Sequence, residues 1–203
     1  QLVTELQNHA TYPALFKKAF GTDTIYSAYI ARALAQYQRT LLSVNSKYDR
    51  YRQGIEPLDS LELQGLRLFR QHCSGCHPEP LFTDHRFHNN GLENTWPMDF
   101  ENEAQGRYRV TLQPEDLGKF KTPSLRNVAV TAPYMHDGRF ATLQEVLQHY
   151  TARVKPSSTL SPRLQHAKGS GIPLSWPEQQ AITHFLHTLT DSSFSAMPAA
   201  EPL

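Results

Sequence analysis

The only two cysteines of this chain stand in the run Cys73-Ser74-Gly75-Cys76-His77. Two thiols at this spacing, followed at once by an imidazole, suit one chemistry closely. Each thiol can add to a vinyl group of the same porphyrin, and the adjacent histidine then reaches the iron from the proximal side. Covalent tethering holds haem in a domain too shallow to retain it by burial. Two other readings are weaker. A redox C-x-x-C wants a βαβ setting, which the sequence lacks. A zinc site needs two more ligands at close spacing, and there is no third cysteine. Nor can one neighbouring pair staple a fold of 203 residues, which excludes a disulfide framework. One covalent haem c is therefore expected, on Cys73, Cys76 and His77.

The other face of the iron has several claimants: Met135, His136, His149, Tyr150, or no ligand at all. Helical periodicity places Tyr150 on one apolar stripe with Leu143, Val146 and Leu147, and turns His149 away from it by about 100°. Periodicity alone favours an ordinary core tyrosine. Met135 sits in a loop with Tyr134, His136 and Gly138, where it can ligate iron or pack. His85 and His88, three positions apart, have no third ligand nearby and read as structural.

The elements that must position these residues are helical. Tyr12–Phe20 reads as a short helix stopped by Gly21, and residues 24–42 as a longer one, with Ile25, Tyr29, Ile30, Leu34 and Tyr37 near 3.6-residue spacing. A third helix is expected from Leu61 to His72, capped by Asp59 or Ser60. Gly65 on it permits close crossing by another helix, with Phe185 as the aromatic that fills the contact. Thr142 to Glu145 and Ser175 to Glu178 are capping boxes, opening helices to about Val154 and Thr190. Between 78 and 140 the chain is punctuated by proline and glycine. A structureless stretch of that length is improbable in a compact domain unless a buried prosthetic group organises it.

Composition narrows the function. Twenty basic against 19 acidic residues give a net charge of +1, which argues against nucleic acid as the main partner. No apolar run is long enough for a membrane span. The 14 prolines and mean hydropathy of −0.53 fit a modest core wrapped in irregular chain. The chain begins at Gln1 with no signal-peptide pattern, as a processed chain or a fragment would. The expectation is an all-α, c-type cytochrome-like haem domain over 56–190 with long irregular loops. A helical arm over 1–55 precedes it, and a flexible tail over 191–203 follows.

Four further segments carry a family resemblance. They are Leu81-Phe82-Thr83-Asp84 with Phe87-His88-Asn89-Asn90-Gly91-Leu92, then Lys121-Thr122-Pro123-Ser124-Leu125-Arg126-Asn127, then Thr131-Ala132-Pro133-Tyr134-Met135-His136-Asp137-Gly138. In order and in spacing from the Cys73–His77 run they resemble the bacterial di-haem cytochrome c peroxidase and MauG family, over about residues 10 to 190. The resemblance implies two haem domains, this chain matching the C-terminal one. An N-terminal haem domain, on the same or a separate chain, would carry its own C-x-x-C-H and the five-coordinate iron that meets H2O2.

The family's distal ligand lies fourteen residues after the histidine of the Pro-Tyr-x-His-x-Gly motif, which falls on Tyr150. Methionine at that place marks the classical peroxidases, and tyrosine the MauG-like branch. A hard, anionic phenolate stabilises ferric and higher oxidation states and lowers the reduction potential. The resemblance further implies that Arg126 pairs with a haem propionate and that His136 lies near the propionates or between the haems. It also implies that the carbonyls of Thr131 and Pro133 contribute to a Ca2+ site completed by the other domain. The expected activity is peroxidase-type oxidoreduction in the periplasm, with this domain storing or passing oxidising equivalents to an electron-donor protein or small cytochrome. The alternatives are a mono-haem electron carrier, and a conventional di-haem peroxidase domain in which Met135 binds the iron.

Overall fold

A computed structural model describes residues 1–97, 103–166 and 169–195. Two compact units divide after Val44. The first contains α1 (Leu2–Gln7), α2 (Tyr12–Phe20) and α3 (Ser27–Thr40). Pro13 stands in the first turn of α2, where its missing N–H is harmless. Gly21 ends the helix at φ 78°, a left-handed position that glycine takes without strain. Phe20 stacks on Tyr29 of α3 at 4.6 Å, and Phe16 and Ile25 are buried. No residue of α3 itself is buried; Tyr26, beside its start, and Leu34 and Tyr37 on it are more than half exposed.

The second unit, Asn45–Ser192, holds the Cys73–His77 run. It starts eleven residues earlier than the expected 56–190 domain, because the unforeseen α4 (Lys47–Arg52) belongs to its core. Ser46 and Asp49 close a capping box on α4. Tyr48, 1% exposed, meets the edges of Phe82 and Phe185 at 5.1 and 5.8 Å. Such edge-to-face pairs each add about 0.5–1.5 kcal/mol beyond area burial. The far boundary also moves. Asp191, expected to open a flexible tail, is 1% exposed, accepts the Asn45 amide and donates its own to the Asn127 side chain. Ser192–Ser195 form one helical turn; the rest of that expected tail, 196–203, lies outside the described residues.

The core is the crossing of α5 (Ser60–His72) with the C-terminal helix of the unit (Trp176–His187). Asp59 caps α5 through Glu62, which buries Leu66 and Phe69. At Gly65 an added Cβ would fall inside the Ala181 carbonyl and against the Phe185 Cβ. The helix backbones touch there, and only glycine permits it. Gly65→Ala should destabilise the protein by about 1–3 kcal/mol, as overpacking does; a denaturant midpoint unchanged from wild type would contradict this.

Between these helices lie a short α6 (Tyr108–Thr111), several 3-10 turns and α7 (Leu143–Gln148). Two small antiparallel pairs modify the all-α expectation. β1 (Phe87–His88) pairs with β2 (Phe120–Lys121), and β3 (Gln165–His166) with β4 (Gly169–Ser170). The 78–140 stretch is thus tied by protein contacts as well. Thr83 donates to the Thr122 carbonyl, and the Asn89 amide to Ser157 and Thr159. Trp176–His187, capped by Ser175 and Glu178, is α8. α7 does not continue to Val154 as an α-helix; His149–Arg153 forms a wider π-turn. Among the described residues no helix is long and apolar enough to cross a membrane.

Candidate haem site

The end of α5 delivers Cys73 as its C-cap, and the chain turns at once through Cys76 and His77. These residues line a cavity of about 410 Å3, within the range of about 300–1,000 Å3 usual for ligand sites. Its walls include His88 of β1 and Asn90 just after it, Phe120 and Lys121 of β2, Tyr150 of the π-turn, and Leu164 and Ile172. Burial pushes the Cys73 thiol up to about 12 and the Cys76 thiol upward. Both stay neutral at physiological pH, and an uncharged thioether suits such surroundings.

His77 is set by its neighbour's backbone. Its Nδ1–H donates to the Phe82 carbonyl at 2.9 Å, which leaves Nε2 with its lone pair for a metal. Burial lowers its pKa, and the bond to Phe82 only partly opposes this, so the imidazole is neutral and able to ligate. Phe82 adopts φ 55°, a conformation unusual for a bulky residue. Its ring is fully buried on Tyr48 and Phe69. The aromatic core therefore holds a strained backbone whose carbonyl orients the His77 ring.

Tyr150 lines the same cavity and Met135 does not. Burial pushes the Tyr150 phenol up to about 12, while the Asn90 amide opposes the rise. Only a cation at its oxygen would deprotonate it near neutral pH. His149, expected to turn outward, is 2% exposed, and its Nε2–H donates to the Asn90 carbonyl at 3.0 Å. The Asn90 segment covers that side of the helix and buries His149, which opens the π-turn that continues with Tyr150. Such turns gather at functional sites.

The remaining expected residues fall elsewhere. Arg126 does not line the cavity. Its guanidinium forks onto Asp49, two bonds of 2.9 Å, and donates to the Pro80 carbonyl, so a protein carboxylate occupies the fork expected for a propionate. Lys121 and Arg163 are the cationic side chains of the cavity wall. His136 stacks on Phe120 at 3.9 Å, one ring removed from the cavity. Thr131 and Pro133 are exposed on a separate turn and do not line the cavity. His88, read as having no metal-type neighbours, lies with Cys76 and Asp84, the three ligand atoms within 4.8 Å of one another. His88 Nε2 already bonds Asp84 at 2.8 Å, so the group supports the cavity wall.

Asp84 gives that wall an acid limit. Burial raises its carboxyl, but bonds from His88, the Arg86 amide and Thr122 outweigh burial and hold it down to about 2. A depressed carboxylate stabilises the fold above the ordinary range near 4 and loses that contribution as pH falls toward 2. Thermal melting across this window should drop steeply for wild type and less for Asp84→Asn. Parallel curves would remove Asp84 from the account.

Comparison with known proteins identifies the family. A family model described as di-haem cytochrome c peroxidase matches residues 1–56. The methylamine utilization protein MauG of Methylophilus methylotrophus is 34% identical over 193 residues, 93% of this chain and 54% of that protein. The cytochrome-c peroxidase IdrP1 of Pseudomonas sp. (strain SCT) is 33% identical over 210 residues, 89% of this chain and 54% of that protein. A crystal structure of a MauG-like protein associated with microbial copper homeostasis superposes with a TM-score of 0.78 at 33% identity, covering 97% of this chain and 63% of that one. The chain spans about half the length of the curated relatives it matches. Helix-rich, with a C-x-x-C-H run opening onto a cavity, this chain belongs to the di-haem cytochrome c peroxidase and MauG family.

Proposed function

We propose that this chain is the C-terminal haem c domain of a MauG-like di-haem peroxidase, with iron held between His77 and Tyr150. The observation that carries the reading is the placing of Cys73, Cys76, His77 and Tyr150 around one cavity that excludes Met135. Haem c in this place supplies one-electron iron chemistry. The chain's own residues do the rest. The Cys73 and Cys76 S–H groups add across two vinyl double bonds, sulfur to one carbon and hydrogen to the other, with no net oxidation. Phe82 keeps the His77 lone pair directed into the cavity. Tyr150 gives a hard oxygen that favours the oxidised iron.

A haem held between His77 and Tyr150 would offer peroxide no open position in this domain. The peroxide-reactive haem would belong to an N-terminal domain, of the same or a separate polypeptide, and this domain would serve to store oxidising equivalents or pass them to a donor protein or small cytochrome. The relatives' names, peroxidase and MauG, support the class of reaction. Attachment of haem c outside the cytoplasm points to the periplasm. The carbonyls of Thr131 and Pro133 are the proposed share of this chain in an interdomain Ca2+ site.

The test counts iron and follows peroxide. The chain expressed alone should bind one haem and turn over H2O2 poorly. The native protein should contain two irons for each copy of this chain. One iron in the native protein, with activity confined to electron transfer, would support a mono-haem carrier instead.

A further inference from the structure

Three consecutive backbone carbonyls in the turn after His77 are each taken by a side chain. The Pro80 carbonyl accepts from Arg126, Nε at 3.2 Å and Nη2 at 2.9 Å. The Leu81 carbonyl accepts from the Ser124 hydroxyl at 2.7 Å. The Phe82 carbonyl accepts from His77 Nδ1–H at 2.9 Å. Ser124 and Arg126 belong to one segment, and the Arg126 amide donates back to the Ser124 oxygen at 3.2 Å. The fork of Arg126 is anchored on α4. Asp49 accepts both of its bonds there, and the Ser46 amide and hydroxyl hold that carboxylate in turn, at 3.0 and 2.7 Å. The guanidinium carbon lies 5.8 Å from the centre of the Phe82 ring. Four N–H groups of one planar side chain thus tie the turn to a capped helix.

We propose that Arg126 and Ser124 are positioning residues for the proximal ligand: they fix the Pro80 and Leu81 carbonyls and so keep the Phe82 oxygen on His77 Nδ1. The proposal rests on His77 being an iron ligand. Phe82 stands at φ 55°, where a bulky residue is strained, so its carbonyl would turn away if its neighbours were released. The aromatic core restrains the Phe82 ring, and Arg126 and Ser124 restrain the backbone before it. A bond from Nδ1–H to a carbonyl raises the basicity of the imidazole as a ligand. A stronger donor favours the oxidised iron. Arg126 acts on the iron through His77, without lining the cavity.

The test is the reduction potential of the haem-loaded protein, by optical titration of Arg126→Lys. Lysine keeps the positive charge and cannot reproduce a planar fork that spans Asp49 and Pro80. The potential should shift upward, because a loosened Phe82 carbonyl leaves His77 a weaker donor. Ser124→Ala, an uncharged exchange that releases the Leu81 carbonyl, takes its place with the same expected shift if the lysine variant does not fold, as judged by circular dichroism. Ser175→Ala is the control. It weakens the fold through the cap of α8 and touches none of the three carbonyls, so its potential should stay as in wild type.

A potential unchanged or lowered in the folded variant would overturn the proposal. An equal upward shift in Ser175→Ala would show a general loosening of the fold, and would overturn it too. Failure of the underlying ligand reading is separately visible in the wild type: the iron of a haem-loaded crystal would then not be bonded to His77 Nε2.

Discussion

Replacing Tyr150 by phenylalanine in the haem-loaded protein should empty one axial position of the iron. The Soret and charge-transfer bands should move, the iron should turn high-spin, and small ligands such as cyanide should bind where they did not before. Donor oxidation by the two-haem protein should fall by more than the ~10–100-fold that outer-shell partners of a metal contribute, because here a direct ligand is lost. The cause is chemical. A phenolate favours the more oxidised iron, and phenylalanine has no oxygen to offer. The ring of Tyr150 also fills part of the cavity wall, and phenylalanine preserves that filling, so the change isolates the oxygen. A spectrum unchanged from wild type would assign the ligand to another residue, with Met135 the first to examine.

The second large effect concerns the thiols. Cys73→Ala with Cys76→Ala should abolish covalent haem. The intact mass should fall by one haem as well as by the two sulfurs, and acid–solvent extraction should strip all pigment from the protein. Each single variant should retain one thioether. The structural reason lies at the end of α5. Cys73 is its C-cap, and the bonds from Cys76 and His77 back to the Cys73 carbonyl, 3.1 and 3.0 Å, hold the two sulfurs and the imidazole on one turn. The Arg163 side chain lies against Gly75, so bulk at the middle of the run would disturb the same turn. Pigment that resists extraction in the double variant would contradict thioether attachment at these residues.

Much of this was readable in the sequence because local chemistry governs it. The Cys73–His77 run, the capping boxes at Thr142 and Ser175, and Gly65 with Phe185 each announce themselves within a few residues or one helical period. That Tyr150 lines the cavity fits the inward position periodicity gives it, while its reading as a ligand comes from the family resemblance alone. His149 lies off the apolar stripe and is nonetheless buried, because the distant Asn90 segment covers that side of the helix, a contact 59 positions away that periodicity does not record. α4 was missed although Ser46 and Asp49 form a capping box, because six residues are too few for a periodic pattern.

Arg126 shows the other limit. An arginine fork takes any carboxylate, and the sequence could not reveal that Asp49, 77 positions earlier, would be the nearer one. The Phe82 carbonyl that orients His77 is backbone, and backbone atoms leave no trace in residue types.

The central claim is an iron clasped by an imidazole and a phenol oxygen in one cavity. The most direct measurement is a crystal structure of the haem-loaded protein with the iron located by anomalous scattering. An iron peak should appear bonded to His77 Nε2 on one side and Tyr150 Oη on the other, with thioether density to Cys73 and Cys76. An iron whose distal ligand is Met135 Sδ or water, with the Tyr150 hydroxyl beyond bonding distance, would contradict it.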